Sequence, residues 1–463
     1  MASSDAVDVL TVDSLPELLR DDDNVKLAGI DVDGLLRGKV VSKTKFLSSV
    51  QNGFGFCSVI FGWDLHDKTY SQSTAISSAE TGFSDITAKI DFSSFRRIPF
   101  EHNLPFFLVT FHYPNGKPLE FCPRGVLHSV VEKFETSGMT PMAGIEFEFF
   151  NFQETARSLK KKGYAGLDHL TPGMCGYSLL RPLANQSFFH GITKLARQIG
   201  CPIESLHTES GPGVYEIALE YTSVRALADR ACLLKWGVKA LALGHGITPC
   251  FMAKPLQGLP GNSGHIHLSL LSSDGTNLFS RKTRDEQAKW SDIAWLSDTG
   301  RQFLAGILNG IEDVMPLLAP NVNSYKRLVE NFWAPLNVSW GFESRLASIR
   351  VIAPPLASPK ATRLEVRVPG ADVHPYFALA ALLALGLKGI KEKAEIPFGP
   401  VPTIGRRLAR DLREATARFR KGVANELFGP EFVEHLARTR EHEIREWEQA
   451  TTSWERERYM ELI

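Results

Sequence analysis

Residues 144–150 read GIEFEFF, an alternation of charged and apolar residues that predicts a β-strand with two unlike faces. Side chains at positions i and i+2 point to the same side of a strand, so Glu146 and Glu148 share one face while the apolar residues share the other. Two like charges on one face repel each other unless a cation lies between them. By itself, the stretch fits either a cation site or a strand face exposed to solvent.

Three further stretches repeat this pairing of polar side chains within runs of β-forming residues. They are 209–216 (ESGPGVYE), 264–270 (GHIHLSL) and 362–368 (TRLEVRV). Each of them alone is compatible with a solvated strand face, but the four stretches together predict one sheet with a polar, functional face. Carboxylates with at most one histidine per ion suit Mg2+ or Mn2+ better than zinc, for which three cysteine or histidine ligands are usual.

Cationic side chains form the second part of the pattern, between residues 326 and 367. They are Lys326, Arg327, Arg345, Arg350, Lys360, Arg363 and Arg367. Arginine binds phosphate and carboxylate groups in a bidentate manner, and arginines beside magnesium-type carboxylates are typical of phosphoryl transfer. A surface rich in salt bridges is the alternative interpretation. The chain has no GxxxxGK[ST] loop, which argues against a P-loop enzyme.

The composition is that of a globular protein without an electrostatic bias towards nucleic acids or membranes. The 463 residues include 52 Lys and Arg and 52 Asp and Glu, so the formal net charge is zero. This balance argues against nucleic acid or a membrane surface as a partner. The six cysteines form no CxxC pair and are too sparse for a disulfide scaffold, which favours a reduced, cytoplasmic location. No signal peptide is visible, and the longest apolar run, Tyr376 to Leu387, predicts a buried helix and not a membrane span.

The texture of the sequence changes near residue 121. Residues 25–121 contain short apolar runs separated by turn residues, for example 104–111 (LPFFLVTF) before the turn at 114–116 (PNG). Pro123 then occupies a position typical of the first turn of a helix, and strands alternate with long helices beyond it. The uneven spacing of these elements predicts an α+β fold and not regular βαβ units.

Taken together, these stretches resemble the glutamine synthetase family, of the type I or γ-glutamyl-amine ligase kind. The resemblance covers nearly the whole chain and is carried by the order and spacing of several motifs. Besides the four stretches above, these motifs are 31–39 (DVDGLLRGK), 122–124 (CPR), 323–327 (NSYKR) and 358–367 (SPKATRLEVR).

The resemblance implies an architecture and an assembly. A lead-in (residues 1–24) precedes an N-terminal β-grasp domain (25–121) and a C-terminal catalytic domain (122–463) with an antiparallel sheet and flanking helices. A homo-oligomer is expected, a double ring whose active sites lie between neighbouring subunits. Each site would hold two divalent ions, Mg2+ or Mn2+. The expected ligands are Glu148, Glu209 and Glu216 for one ion, and Glu146, His265 and Glu365 for the other.

The resemblance also implies sites for ATP and L-glutamate. The positions similar to the family's ATP-binding residues are Glu204, Tyr221, His267, Ser269, Lys360 and Arg363. The positions similar to its glutamate-binding residues are Arg327, Arg367 and Gly261, and its phosphate-handling arginines correspond to Arg345 and Arg350. In the implied reaction, ATP phosphorylates the γ-carboxylate of glutamate, and an amine then displaces the phosphate to give a γ-glutamyl amide.

Position 333 departs from the family pattern. Glutamine synthetases have a glutamate six residues after the arginine of NSYKR, which helps to bind and deprotonate ammonium, whereas this chain has Trp333. An indole cannot remove a proton, so Trp333 favours an organic primary amine as the acceptor, and the residue is predicted to act in catalysis and substrate binding. Trp333 could instead be a core aromatic beside Phe332 and Pro335. The alternative functions are a glutamine synthetase that uses ammonia and a non-catalytic signalling relative; a guanidino-phosphotransferase, which needs no β-grasp domain, ranks below both.

Overall fold

The chain folds around two β-sheets, the first built from strands between residues 24 and 112 and the second from strands between residues 139 and 366. The computed structural model describes residues 10–70, 76–330 and 332–463. Helices pack around the second sheet, and one large hydrophobic core extends through both parts of the chain. The predicted α+β class is confirmed.

The first sheet has six strands in the part of the chain that the structure describes. They are β1 (Asn24–Ile30), β2 (Leu36–Ser42), β3 (Phe54–Cys57), β4 (Asp85–Ile90), β5 (Arg96–Ile98) and β6 (Leu104–His112). The order is β2-β1-β6-β4-β3, with β5 paired to β6 and β1 parallel to β6. The apolar run at residues 105–109 is buried on both faces, which explains why β6 takes a central position.

Among the described residues, the second sheet has nine strands. They are β7 (Met139–Phe152), β8 (Ile203–Thr208), β9 (Val214–Leu219), β10 (Thr222–Ser223), β11 (Thr248–Cys250), β12 (Ile266–Ser272), β13 (Trp340–Phe342), β14 (Ile349–Ile352) and β15 (Arg363–Val366). The main order is β13-β14-β15-β12-β7-β9-β8. The expectation of an antiparallel sheet is wrong for one edge pair, β13 and β14, which run parallel. The segment 343–348 carries the chain back to the start of the pair, so both short strands run the same way.

Fourteen α-helices occur in the described residues. They are α1 (Leu15–Leu18), α2 (Lys43–Ser49), α3 (Pro123–Glu135), α4 (Ala156–Lys161), α5 (Gln186–Gln198), α6 (Val224–Leu243), α7 (Asp298–Gly310), α8 (Met315–Leu318), α9 (Ser324–Arg327), α10 (Pro375–Lys391), α11 (Leu412–Lys421), α12 (Ala424–Phe428), α13 (Pro430–Gln449) and α14 (Ser453–Tyr459). Pro123 and Pro375 occupy the first turns of α3 and α10, where the missing N–H costs nothing.

Helix α10 is the buried helix predicted from the apolar run at 376–387. It crosses α7 at very short range, because a Cβ atom on Gly306 would lie 2.2 Å from the carbonyl oxygen of Leu385. No helix in the described ranges is long and apolar enough to cross a membrane. All six cysteines fall within these ranges, and all are free thiols.

A buried ion-pair cluster joins the two parts of the chain at residue 124. The Arg124 guanidinium on α3, 2% exposed, donates from Nε and Nη2 to the carboxylate of Asp229 on α6, at 3.0 and 2.8 Å. Nη2 also donates to Asp91, which follows β4, at 2.7 Å. Tyr376 on α10 donates its hydroxyl proton to Asp229. The cluster fixes the first sheet against the helices behind the second sheet.

Candidate active site

Strand β7 places carboxylates on one face of the second sheet and apolar side chains on the other. Ile145, Phe147 and Phe149 are at most 1% exposed, whereas Glu146 and Glu148 lie half-buried on the opposite face. The alternation predicted for this stretch is confirmed.

The four polar stretches meet because their strands are neighbours in the order β15-β12-β7-β9. Glu148 lies opposite Glu216 in the register between β7 and β9. His267 lies opposite Glu365 in the register between β12 and β15. The predicted single sheet with a polar face is therefore present.

Two groups within the described residues could hold a metal ion, and the first consists of Glu146, His265 and Glu365. Nδ1 of His265 lies 3.5 Å from Oε2 of Glu146 and 3.4 Å from Oε1 of Glu365. Adjacent ligand atoms around an ion with bonds of about 2.1 Å are about 3 Å apart, so a small contraction would let these atoms share one ion. The structure brings together the three residues expected for this ion.

The charges of this first group suit a divalent cation. Burial lowers the pKa of His265 to about 4, so its imidazole is neutral near pH 7 and can act as a ligand. Glu365 accepts hydrogen bonds from Arg350, at 3.0 Å, and from Arg367. Two carboxylates with one neutral nitrogen form a donor set that Mg2+ or Mn2+ accepts.

The second group consists of His207, Glu209 and Glu216. Glu209 and Glu216 are two of the three residues expected for the second ion. The third expected residue, Glu148, is not in this group, whereas His207 is. Glu148 faces Glu216, but its Oε2 accepts a 2.6 Å hydrogen bond from the backbone N–H of Ser263, which ties it to the loop before β12. Glu148 therefore lies beside the second group, with its oxygen atoms outside the closest set of ligand atoms.

Like charges accumulate at this second group. Burial, together with the carboxylates of Glu148, Glu146 and Glu209, raises the pKa of Glu216 to about 9. A divalent cation between these carboxylates would remove the repulsion and favour their ionised forms. The donor set and its electrostatics fit a second bound ion.

His207 is the member of the second group that the sequence motifs did not predict. It lies on β8 two positions before Glu209, the same i, i+2 spacing that singled out Glu146 and Glu148. The Tyr177 ring stacks on the His207 ring, with 4.5 Å between centroids and 21° between planes. Spacing was the only available signal, since a single histidine in a strand is common.

A cavity of about 630 Å³ opens beside the first group. All six positions expected to bind ATP line its wall: Glu204, Tyr221, His267, Ser269, Lys360 and Arg363. Its volume lies within the range of about 300–1,000 Å³ that small-molecule sites occupy. The structure therefore gathers these residues around a space large enough for a nucleotide.

Hydrogen bonds connect the cavity wall to the first group. Arg363 donates from Nε to Nδ1 of His267 at 3.2 Å, so the His267 proton resides on Nε2. Nε2 in turn donates to Oε1 of Glu146 at 3.1 Å. On the same wall, the Tyr221 hydroxyl and the Ser269 hydroxyl are 2.7 Å apart. The imidazole of His267 thus links the Arg363 guanidinium in the cavity wall to the carboxylate of Glu146 in the first group.

Arg327 is buried beside the loop that precedes β12. It donates from Nη1 to the carbonyl oxygen of Val368 at 3.0 Å, and burial lowers its pKa to about 10. A Cβ atom on Gly261 would lie 2.9 Å from Cγ of Arg327 and 2.4 Å from the carbonyl oxygen of Ala253. Only glycine fits at position 261, so the loop packs directly on the Arg327 side chain.

The two arginines expected to handle phosphate differ in their surroundings. Arg350 bridges Glu365 of the first group and Glu343, to which Nε donates at 3.0 Å. Arg345 is exposed on the turn after β13, and its charge opposes the rise that burial causes in the pKa of Glu216. One arginine therefore lies at each group.

Trp333 occupies an exposed loop after α9. Its side chain is 70% exposed and its backbone has a φ of 58°, in the left-handed region. The alternative interpretation of Trp333 as a core aromatic is therefore wrong. Its neighbour Phe332 instead covers the Nζ atom of Lys254, 3.8 Å from the ring centroid.

Known proteins are similar to this chain in sequence and in fold. Residues 120–459 match the family described as "Glutamine synthetase, catalytic domain". The chain is 42% identical over 450 residues to the type-1 glutamine synthetase 2 of Dictyostelium discoideum, and the aligned region covers 95% of this chain and 84% of that protein. It is 34% identical over 451 residues to a glutamate–isopropylamine ligase of a Pseudomonas species, covering 95% of each chain. Among solved structures, the GmaS/ADP complex has a similar fold, with a TM-score of 0.81 and 24% identity over 96% of this chain and 99% of that one.

These similarities define the class of protein. The chain is an ATP-dependent ligase that acts on glutamate. It belongs to the glutamine synthetase family, whose enzymes use ATP and divalent metal ions.

Proposed function

We propose that this ligase joins the γ-carboxylate of L-glutamate to an organic primary amine. The observation that carries the proposal is Trp333, an exposed indole at the position where the family's glutamine synthetases have a glutamate. The similarity to a glutamate–isopropylamine ligase over 95% of each chain supports it. Synthesis of glutamine from ammonia is the second candidate, favoured by the 42% identity to a protein named glutamine synthetase.

Two divalent ions, Mg2+ or Mn2+, would organise the charges. The ligands of one ion are Glu146, His265 and Glu365, and those of the other are Glu148, Glu209 and Glu216. When bound, such ions neutralise negative charge on the reacting phosphate and carboxylate groups. Burial and repulsion from nearby carboxylates both disfavour the ionised form of Glu216. This supports the proposal that a cation binds there.

The cavity beside the first group would hold ATP. Lys360 and Arg363 supply positive charge along its wall, and Glu204 and Tyr221 lie on the side where β8 begins and β9 ends. The link from Arg363 through His267 to Glu146 would align the phosphates with the ion at the first group. The γ-phosphate would then lie where cavity and sheet face meet.

Arginines would hold glutamate and the transferred group. Arg327, Arg367 and the loop at Gly261 would bind glutamate, and Arg345 and Arg350 would neutralise charge on the phosphoryl group. A γ-carboxylate oxygen attacks the γ-phosphorus of ATP, and ADP leaves with the electrons of the broken P–O bond. The amine nitrogen then attacks the acyl carbon, inorganic phosphate leaves, and the amine loses a proton.

The working form would be a cytoplasmic homo-oligomer, a double ring with active sites between subunits. Large apolar side chains that are exposed on the single chain support an association surface, where a neighbouring subunit would cover them. They include Met174, Leu179, Leu180 and Leu183 before α5, and Trp454, Leu462 and Ile463 at the C-terminus. The division into a lead-in (1–24), a β-grasp domain (25–121) and a catalytic domain (122–463) belongs to the same proposal.

Phosphate release across a panel of amines tests the function. Full-length protein with ATP, L-glutamate and Mg2+ should release phosphate faster with at least one primary amine than with ammonium. If ammonium is the best acceptor, the protein is a glutamine synthetase. If neither supports phosphate release above the rate without glutamate, the proposed function is wrong.

A further inference from the structure

The imidazole of His207 is held with one nitrogen towards the second group. Nδ1 lies 3.0 Å from the carbonyl oxygen of Thr208, which can only accept, so Nδ1 carries the proton. Nε2 is left with its lone pair and lies 3.8 Å from Oε1 of Glu216. The Tyr177 ring covers one face of the imidazole and restricts its rotation.

Two acceptor atoms that face each other need an electropositive partner between them. A hydrogen bond would bring the heavy atoms to about 3 Å, so 3.8 Å between Nε2 and Oε1 leaves a wider gap. Around an ion with bonds of about 2.1 Å, adjacent ligands are about 3 Å apart and opposite ligands about 4.2 Å apart. The observed separation falls between these values. Ligand atoms of His207, Glu209 and Glu216 also lie within 4.8 Å of one another.

We propose that His207 coordinates the ion of the second group through Nε2, alongside the carboxylates. This inference rests on the proposed function only in that the function supplies the ion. The hydrogen bond to Thr208 and the stacked Tyr177 fix the tautomer and the ring orientation, as outer contacts of metal-binding histidines do. A nitrogen ligand raises affinity for Co2+ more than for Mg2+, so the second site should discriminate between them.

Pulsed EPR of bound Mn2+ tests direct coordination. The two candidate groups contain one histidine each, so a His265→Ala background leaves His207 as the candidate nitrogen ligand. The full chain, without nucleotide, glutamate or amine, should show a ¹⁴N coupling of a directly bonded nitrogen, and adding His207→Ala should abolish it. Absence of that coupling in the background variant, or its persistence after His207→Ala, overturns the assignment.

Metal affinities give a second measurement. His207→Ala should weaken Co2+ binding about tenfold or more while changing Mg2+ binding less than about threefold. His190→Ala, which removes an exposed histidine on α5, is the matched control and should change neither affinity. His207→Gln keeps the size of the side chain and serves if the alanine variant fails to fold. Equal Co2+ affinities in wild type and the His207 variants contradict the proposal, whether or not the protein proves to be an amine ligase.

Discussion

Glu148 on β7 lies directly opposite Glu216 on β9, so two carboxylates share one part of the polar face. Burial and the surrounding carboxylates raise the pKa of Glu216 to about 9, and Glu148 has the largest effect among these carboxylates. Arg327 partly offsets the charge of Glu148, for which burial raises the pKa. A sheet face that concentrates negative charge in this way is stable at neutral pH when a cation binds to it.

Removal of Glu148 should abolish turnover without unfolding the protein. Glu148→Ala removes one of the carboxylates that would face the proposed second ion, with an expected loss of several kcal/mol of transition-state stabilisation. The apolar face of β7 is untouched, so the circular dichroism spectrum and melting temperature should stay close to those of wild type. Glu132→Ala on the exposed side of α3 is the control for loss of a glutamate. A Glu148→Ala enzyme that keeps a tenth of the wild-type rate would show that the metal assignment is wrong.

Removal of Arg124 should destabilise the junction between the two sheets. Arg124→Met leaves the buried carboxylate of Asp229 without its cation, which costs about 3–5 kcal/mol in the free energy of unfolding. Urea unfolding measures the loss. The double variant Arg124→Met/Asp229→Asn should regain part of it, because the introduced amide is uncharged and its oxygen can still accept the hydrogen bond from Tyr376. Equal unfolding midpoints for wild type and Arg124→Met would contradict the role of this cluster.

His374 should make the stability fall in mild acid. Its Nε2–H donates to the carbonyl oxygen of Asp31 at 3.0 Å, and Nδ1 accepts from the N–H of Phe377 in the first turn of α10. Acceptance at Nδ1 requires the neutral ring, whereas the Nε2–H donor would survive protonation. Burial, with Arg440 and Lys235 nearby, lowers the pKa of His374 from 6.5 to about 3. Because the unfolded state binds the proton first, stability is complete above about pH 6.5 and is lost as the pH falls towards 3, by about 2 kcal/mol at pH 5.

Urea midpoints at pH 7.5 and pH 5 check this prediction. His374→Asn retains a side-chain acceptor at the helix N-cap but cannot titrate, so its midpoint should depend less on pH than that of wild type. If both proteins lose the same stability between the two pH values, other groups cause the acid sensitivity.

Much of the fold and site follows from local sequence. The alternation in 144–150 predicts which side chains of β7 face the polar side, and the apolar run at 376–387 predicts the buried helix α10. The resemblance predicts six of the residues that line the cavity, although nothing in their spacing shows that they meet. His207 and the exposure of Trp333 could not be predicted in this way, because they depend on strand register and on a positive φ, which neighbouring residues do not reveal.

In the proposed function, position 333 would determine how the acceptor amine is bound and deprotonated. Ammonium is a small cation, and a carboxylate at this position would attract it and take its proton. Trp333 offers instead an apolar ring with a single N–H donor, 70% exposed. Such a ring can contact the carbon groups of an organic amine, and its face attracts a protonated amine by about 0.5–2 kcal/mol.

Substitution of Trp333 should therefore change the choice of acceptor more than it changes the first chemical step. Trp333→Ala should lower kcat/KM for the preferred primary amine while leaving the KM for ATP unchanged, because the cavity wall does not include this residue. Trp333→Glu should raise the rate with ammonium relative to that amine, since it restores a group that can accept a proton. Trp447→Ala, which removes another partly exposed indole on α13, should leave the ratio of the two rates unchanged. If Trp333→Ala keeps the wild-type ratio of amine to ammonium activity, the indole does not select the acceptor, and the preference must arise from other residues of the site.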